Sequence, residues 1–130
     1  MTTITIDGQS VERKPFVLGN ARLVLVYLEK YATAGNDHAA WTAAPSPTVA
    51  FCSDPEGDAV ITDMGPFALV EVDATNYPGW YHYVVPTSVV QNLDTDAYRG
   101  TTIYQRITAG AASEVKRMTP LLVTEPGWAD

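Results

Sequence analysis

Sulfur, imidazole and positive charge are all scarce in this chain. The single cysteine, Cys52, excludes an internal disulfide, so stability must come from packing, and Cys52 itself reads as a small buried hydrophobe. Two histidines, His38 and His82, are too few for a zinc site built from histidine and cysteine, and no His-Glu-x-x-His, Gly-x-Ser-x-Gly or Cys-x-x-Cys spacing occurs. His82, between aromatic neighbours, reads as a hydrogen-bonded sheet residue rather than a general base. Eight lysines and arginines face fifteen acids, for a formal charge of −7, and they spread from Arg13 to Arg117 without forming a stripe. Such a surface repels phosphate backbones, so nucleic acid is not an expected partner. No apolar run approaches the roughly 20 residues of a membrane span, and the opening Met1 to Gly8 has no basic region followed by an apolar stretch, so neither membrane nor secretory signal is expected.

What is abundant is strand-forming valine, threonine and tyrosine, punctuated by nine glycines and nine prolines. That composition favours many short strands in an all-β sandwich or barrel over long helices. A chain of 130 residues fits one domain with one core, here 1–130, with residues 1–8 as an N-terminal arm or strand and 124–130 as a C-terminal tail.

The most informative stretch is Phe67 to Pro86, FALVEVDATNYPGWYHYVVP, which reads as strand, corner, strand. Ala68, Val70 and Val72 alternate with Leu69, Glu71 and Asp73, so the valines are expected on a core face and the acids on a wet one. Pro78 and Gly79 place the corner at Thr75 to Gly79. Beyond it Tyr81, Tyr83 and Val85 share one face and Trp80, His82 and Val84 the other, which predicts a central strand closed by Pro86.

Before this pair, Thr2 to Ile6 alternates as a strand. Leu23 to Leu28 is apolar on both faces and reads as a second core strand; a helix over Ala21 to Ala34 competes but lacks a polar stripe. Gly35 to Pro47 reads as a long surface loop, in which Trp41 either packs back on the sandwich or projects into another protein. Val49 to Cys52 and Ala59 to Thr62 form a predicted hairpin around the turn Asp54 to Asp58. After Pro86 come a connection with one helical turn near Ser88, a strand over Thr101 to Thr108, and a last strand over Val115 to Val123, which Pro120 marks as an edge or bulge.

Three kinds of site remain. The carboxylates Asp54, Glu56, Asp58, Asp94 and Asp96 could present oxygens to calcium, but their spacing is not that of a calcium loop and solvated turn acids explain them. The aromatics Trp41, Tyr77, Trp80, Tyr98 and Trp128 admit a sugar-stacking module, although core and interface packing accounts for them equally. Thr2, Ile4 and Ile6 in the first strand, with Trp41 and Trp128, are the segments suited to docking on neighbouring subunits by strand addition or an aromatic anchor.

With these strands placed, Val72-Asp73, the Tyr77-Pro78-Gly79-Trp80-Tyr81 corner, Val84-Val85-Pro86 and Gly100-Thr101-Thr102-Ile103-Tyr104 resemble the immunoglobulin-like β-sandwich domains of bacteriophage virion proteins, in capsid decoration and tail or baseplate components. The cysteine and tryptophan framework of antibody domains is absent. The resemblance implies an immunoglobulin-like antiparallel sandwich of about seven to nine strands. It further implies a non-enzymatic structural protein of the virion, made in the host cytoplasm, that works as a capsid decoration or cement subunit or as a tail or baseplate adaptor. Its partners would be the major capsid or tail protein and copies of itself, with no cofactor. These domains share shape rather than a site, so no functional residue carries over. A carbohydrate-binding or adhesin module is the alternative of another class.

Overall fold

In the computed structural model, residues 2–6, 9–31, 38–110 and 115–125 are described. They form eleven strands: β1 (Thr2–Ile6), β2 (Gln9–Val17), β3 (Arg22–Tyr27), β4 (Glu29–Tyr31), β5 (His38–Ala40), β6 (Thr48–Cys52), β7 (Phe67–Ala68), β8 (Val70–Asp73), β9 (Tyr77–Val85), β10 (Thr102–Ala109) and β11 (Val115–Thr124). One helical turn, α1 (Thr87–Val90), follows β9 and runs into a 3-10 turn at Gln91–Leu93. The count exceeds the expected seven to nine because β4, just before the predicted loop, pairs with β5 inside it, and because the first arm of the central pair divides at Leu69.

A six-stranded sheet in the order β1-β2-β11-β10-β6-β7 packs on a three-stranded sheet in the order β3-β9-β8. The pairing is antiparallel except between β2 and β11, where Lys14 to Val17 runs parallel to Leu121 to Thr124. The two inner faces supply one core. Phe16, Val49, Phe51, Ile103, Ile107, Leu121 and Val123 come from the larger sheet, and Val24, Val26, Tyr81 and Val85 from the smaller. Phe16 meets Phe51 edge-on at a centroid distance of 5.3 Å, one of the two arrangements aromatic rings prefer. This is an all-β sandwich, as the composition predicts.

Several local expectations are overturned. Phe67–Ala68 pairs with β6 in the larger sheet while Val70–Asp73 pairs with β9 in the smaller, so the presumed single strand changes sheets at Leu69, whose N–H donates to Pro47 O at 2.8 Å. The faces of β8 are also reversed. Leu69 is buried, Glu71 turns inward, and Val70 and Val72 are the exposed residues, at 58% and 42%. Glu71 points in because the 41–47 segment needs it: its Oε1 accepts the Ala43 N–H at 2.9 Å.

The corner lies earlier than predicted. Asp73 Oδ1 accepts the N–H groups of Thr75 (2.9 Å) and Asn76 (3.0 Å), so the turn is Ala74 to Asn76, and Pro78 and Gly79 already belong to β9. The Ala59 to Thr62 strand reduces to a single bridge, Cys52 with Val60. β11 is interior rather than an edge, and Pro120 sits just before the stretch that ladders to β2, where its missing donor is not needed. β9 is central in its sheet, as expected, whereas β3 ends it.

Candidate functional site

The unusual surface is the outer face of the three-stranded sheet. Cross-strand pairing sets Leu23 opposite Val84, Leu25 opposite His82, Tyr27 opposite Trp80, and Val70 opposite His82 on the other side of β9. All seven large hydrophobics exposed among the described residues lie here: Leu23, Leu25, Val70, Val72, Tyr77, Trp80 and Val84, between 38% and 59% exposed. Half-exposed side chains of this size present on the order of 600 Å² of contiguous apolar surface, the upper end for the largest patch on a monomer. Scattered exposed leucines carry no meaning, but a whole sheet face does.

The face has relief. Gly79, at φ +86°, bends the start of β9; a Cβ there would stand 2.8 Å from Tyr27 Cε1 and 3.0 Å from Leu28 O, so glycine is the residue that fits. The bend brings Tyr77 to the same side as Trp80, and together with Leu25 and Val72 they line a shallow hollow of about 350 Å³. Trp80 is braced by Tyr27 at a centroid distance of 5.3 Å. The one imidazole on the face, His82, places Nδ1 3.1 Å from Val70 O. Although the chain carries −7, no carboxylate or cation stands among these paired residues.

Around the β3 edge of this face runs a second concavity, a groove of about 390 Å³. Residues 22–27 of β3 with Trp80 of β9 form one wall, and Lys14, Gln105, Ile107, Arg117 and Thr119 of the larger sheet form the other. Arg22 donates to Pro15 O at 3.0 Å and lies over the Phe16 ring at 5.1 Å. Desolvation lowers its pKa, because burial disfavours the charged guanidinium.

Of the described aromatics singled out from sequence, the sandwich brings Tyr77 and Trp80 together, while Trp41 and Tyr98 pack on the core. Thr2, Ile4 and Ile6 belong to β1, the outermost strand of the larger sheet, paired to β2 from Thr2–Arg13 to Ile6–Gln9. Trp41 is not a free anchor. It is 8% exposed and packs in the core, its N–H donating to Leu28 O at 2.9 Å and its carbonyl accepting the Tyr81 hydroxyl at 2.6 Å. Trp128 lies outside the described residues, and Tyr98 is half-buried against the core.

Asp54, Asp94 and Asp96 are occupied by the chain itself. Asp54 accepts the N–H groups of Asp58 and Ala59, which hold its carboxyl below the usual range. Asp94 and Asp96 pair with Arg99 at 3.2 and 3.3 Å. Among the described residues no three histidine, cysteine, aspartate or glutamate side chains converge on a metal position. The Cys52 thiol is buried, which pushes its pKa up and keeps it protonated.

Leu23, Leu25, Val70, Val72 and Val84 were missed as surface residues. The signal was present in the two-sided apolarity of β3 and β9, since a sheet with both faces apolar needs cover on both, and only one cover is found in the described chain.

No protein-family model matches the sequence, and a search of curated proteins finds no relative. What fold and surface define is therefore a class: an all-β sandwich whose smaller sheet turns an uncharged apolar face outward.

Proposed function

We propose that this chain is a non-enzymatic structural subunit that adheres to neighbouring proteins through the outer face of its three-stranded sheet. The observation that carries the reading is the gathering of seven exposed large hydrophobics on one sheet face with no charge among them. Burying some 600 Å² of it contributes roughly 15 kcal/mol gross at about 25 cal/mol per Å². Association costs a similar amount, about 4–15 kcal/mol, in lost translational and rotational freedom. One face alone therefore adheres modestly, and a repeating array of partners multiplies the effect.

A virion is the setting we propose, on the resemblance of the Tyr77–Tyr81 and Gly100–Tyr104 sequences to phage sandwich domains. A decoration or cement subunit on the capsid shell is the first placement and a tail or baseplate adaptor the second. The neighbours are then the major capsid or tail protein and further copies of this chain. The test is whether the protein co-purifies with particles at stoichiometric copy number, and whether Val70→Glu and Val84→Glu abolish that retention while melting as the parent does. Absence from particles would remove the virion setting; retention of both variants would remove the face.

One feature favours a sugar-binding reading: Trp80 and Tyr77 border the same hollow. Its remaining walls, Leu25 and Val72, offer no polar side chain to hold sugar hydroxyls, which stacked sugars require. A glycan array without binding would eliminate it.

A further inference from the structure

The structure assigns a second docking element, the free edge of β3. We propose that it accepts an extended segment of a partner protein as an added strand, one with carboxylates at positions i and i+4 and apolar side chains at i+1 and i+3. The inference rests on the adhesive reading for its setting but uses the backbone edge that borders that face, with Leu23, Leu25 and Trp80 common to both.

The ladder of β3 fixes which backbone groups are free. Leu28 N–H donates to Gly79 O at 2.8 Å, so in the antiparallel alternation Arg22, Val24 and Val26 turn their N–H and C=O groups to β9, and Leu23, Leu25 and Tyr27 turn theirs away. The carbonyl of Tyr27 bears this out, since it accepts Arg117 Nη1 at 3.1 Å from the side opposite β9. Among the described residues no strand pairs with this edge. The groove lies along it: consecutive residues of both β3 faces line it, and its other wall belongs to the larger sheet, beyond the cover of the three-stranded one. It is the space another strand of the smaller sheet would fill.

Charge identifies the occupant. Lys14, Arg22 and Arg117 line the groove and no aspartate or glutamate does, in a chain where acids outnumber bases by fifteen to eight. Arg22 Nε is buried without a hydrogen-bond partner, and no described carboxylate pairs with this guanidinium. Arg22 marks one end of the edge and Tyr27, holding Arg117, the other, about 17 Å apart at strand rise. Side chains on one face of an added strand recur at every second residue, so acids four apart reach both ends while the intervening outward positions extend the Leu23 and Leu25 stripe. A second copy's β3 fits poorly, because antiparallel pairing would bring its Arg22 to the Arg117 end.

The experiment titrates the full chain with a capped peptide, Ser-Glu-Val-Thr-Val-Glu, and with its glutamine counterpart, reading affinity by calorimetry and backbone amide exchange by NMR. Expected are saturable binding, slowed exchange at Leu23 and Leu25, and a loss of about tenfold or more for the glutamine peptide and for Lys14→Gln/Arg117→Gln. Raising salt from about 50 to about 500 mM should weaken binding. No binding at millimolar peptide, binding without slowed exchange at Leu23 and Leu25, or equal affinity for the glutamine peptide would each overturn the assignment. So would slowing of those amides by raised protein concentration alone, which would give the edge to a second copy. If the peptide fails while particle retention remains sensitive to Val84→Glu, the strand-acceptor site falls and the adhesive face stands.

Discussion

Tyr81 shows how much a single hydroxyl can organise. It is 2% exposed, donates to Trp41 O at 2.6 Å and accepts from Ala44 N–H at 2.9 Å, so one side chain of the smaller sheet fixes both ends of the turn that folds Trp41 inward. Burial raises its pKa, and the phenol stays protonated as a donor. Tyr81→Phe preserves the ring but removes the hydroxyl that bonds both the Trp41 carbonyl and the Ala44 N–H; denaturant unfolding should show a loss of about 1–3 kcal/mol with m unchanged. Gly79 is a comparable single point, since alanine must adopt φ near +86° and meet Tyr27 and Leu28 within 3.0 Å. Gly79→Ala should destabilise by about 1–3 kcal/mol, seen as a lower midpoint in the same assay, and should displace Tyr77 from the hollow beside Trp80.

Among the elements, strands were easier to read from sequence than their orientation. Leu23 to Leu28, Trp80 to Val85, Thr101 to Thr108 and Val115 to Val123 announce themselves by β-branched and aromatic content, and β3, β9, β10 and β11 lie there. Which face of β8 is wet was not legible, because alternation tells two faces apart without saying which has a neighbour. The hydrophobic set Val70 and Val72 faces outward, and Glu71 is drawn inward by a contact with Ala43 twenty-eight residues away that no local pattern encodes. For the same reason the apolar site was invisible as a site: Leu23, Leu25 and Val84 look like ordinary core residues until only one side of their sheet is seen to be covered. Trp41 shows the converse, a loop aromatic that admits either core packing or an anchor from sequence and takes its place in the core.

At the scale of the molecule, acid should loosen the fold through its turns. Asp54 is held below the usual carboxylate range chiefly by the N–H groups of Asp58 and Ala59, and Asp73 chiefly by the Asn76 N–H and side chain. A depressed folded value means that these turns stabilise the native state fully above the ordinary carboxylate pKa of about 3.9 and lose that contribution as pH falls through the depressed values. Melting temperature measured downward from about pH 5 should therefore decline, and Asp54→Ala or Asp73→Ala should flatten the decline while lowering stability at neutral pH. The larger sheet carries a different consequence. Because Lys14 to Val17 pairs with Leu121 to Thr124, its middle cannot close until segments from opposite ends of the described chain have met. Folding is thereby committed to a long-range closure, which places it among the slow, millisecond-to-second β proteins. On the ribosome, β2 must wait for β11 to emerge, leaving its inner residue Phe16 without that neighbour until then.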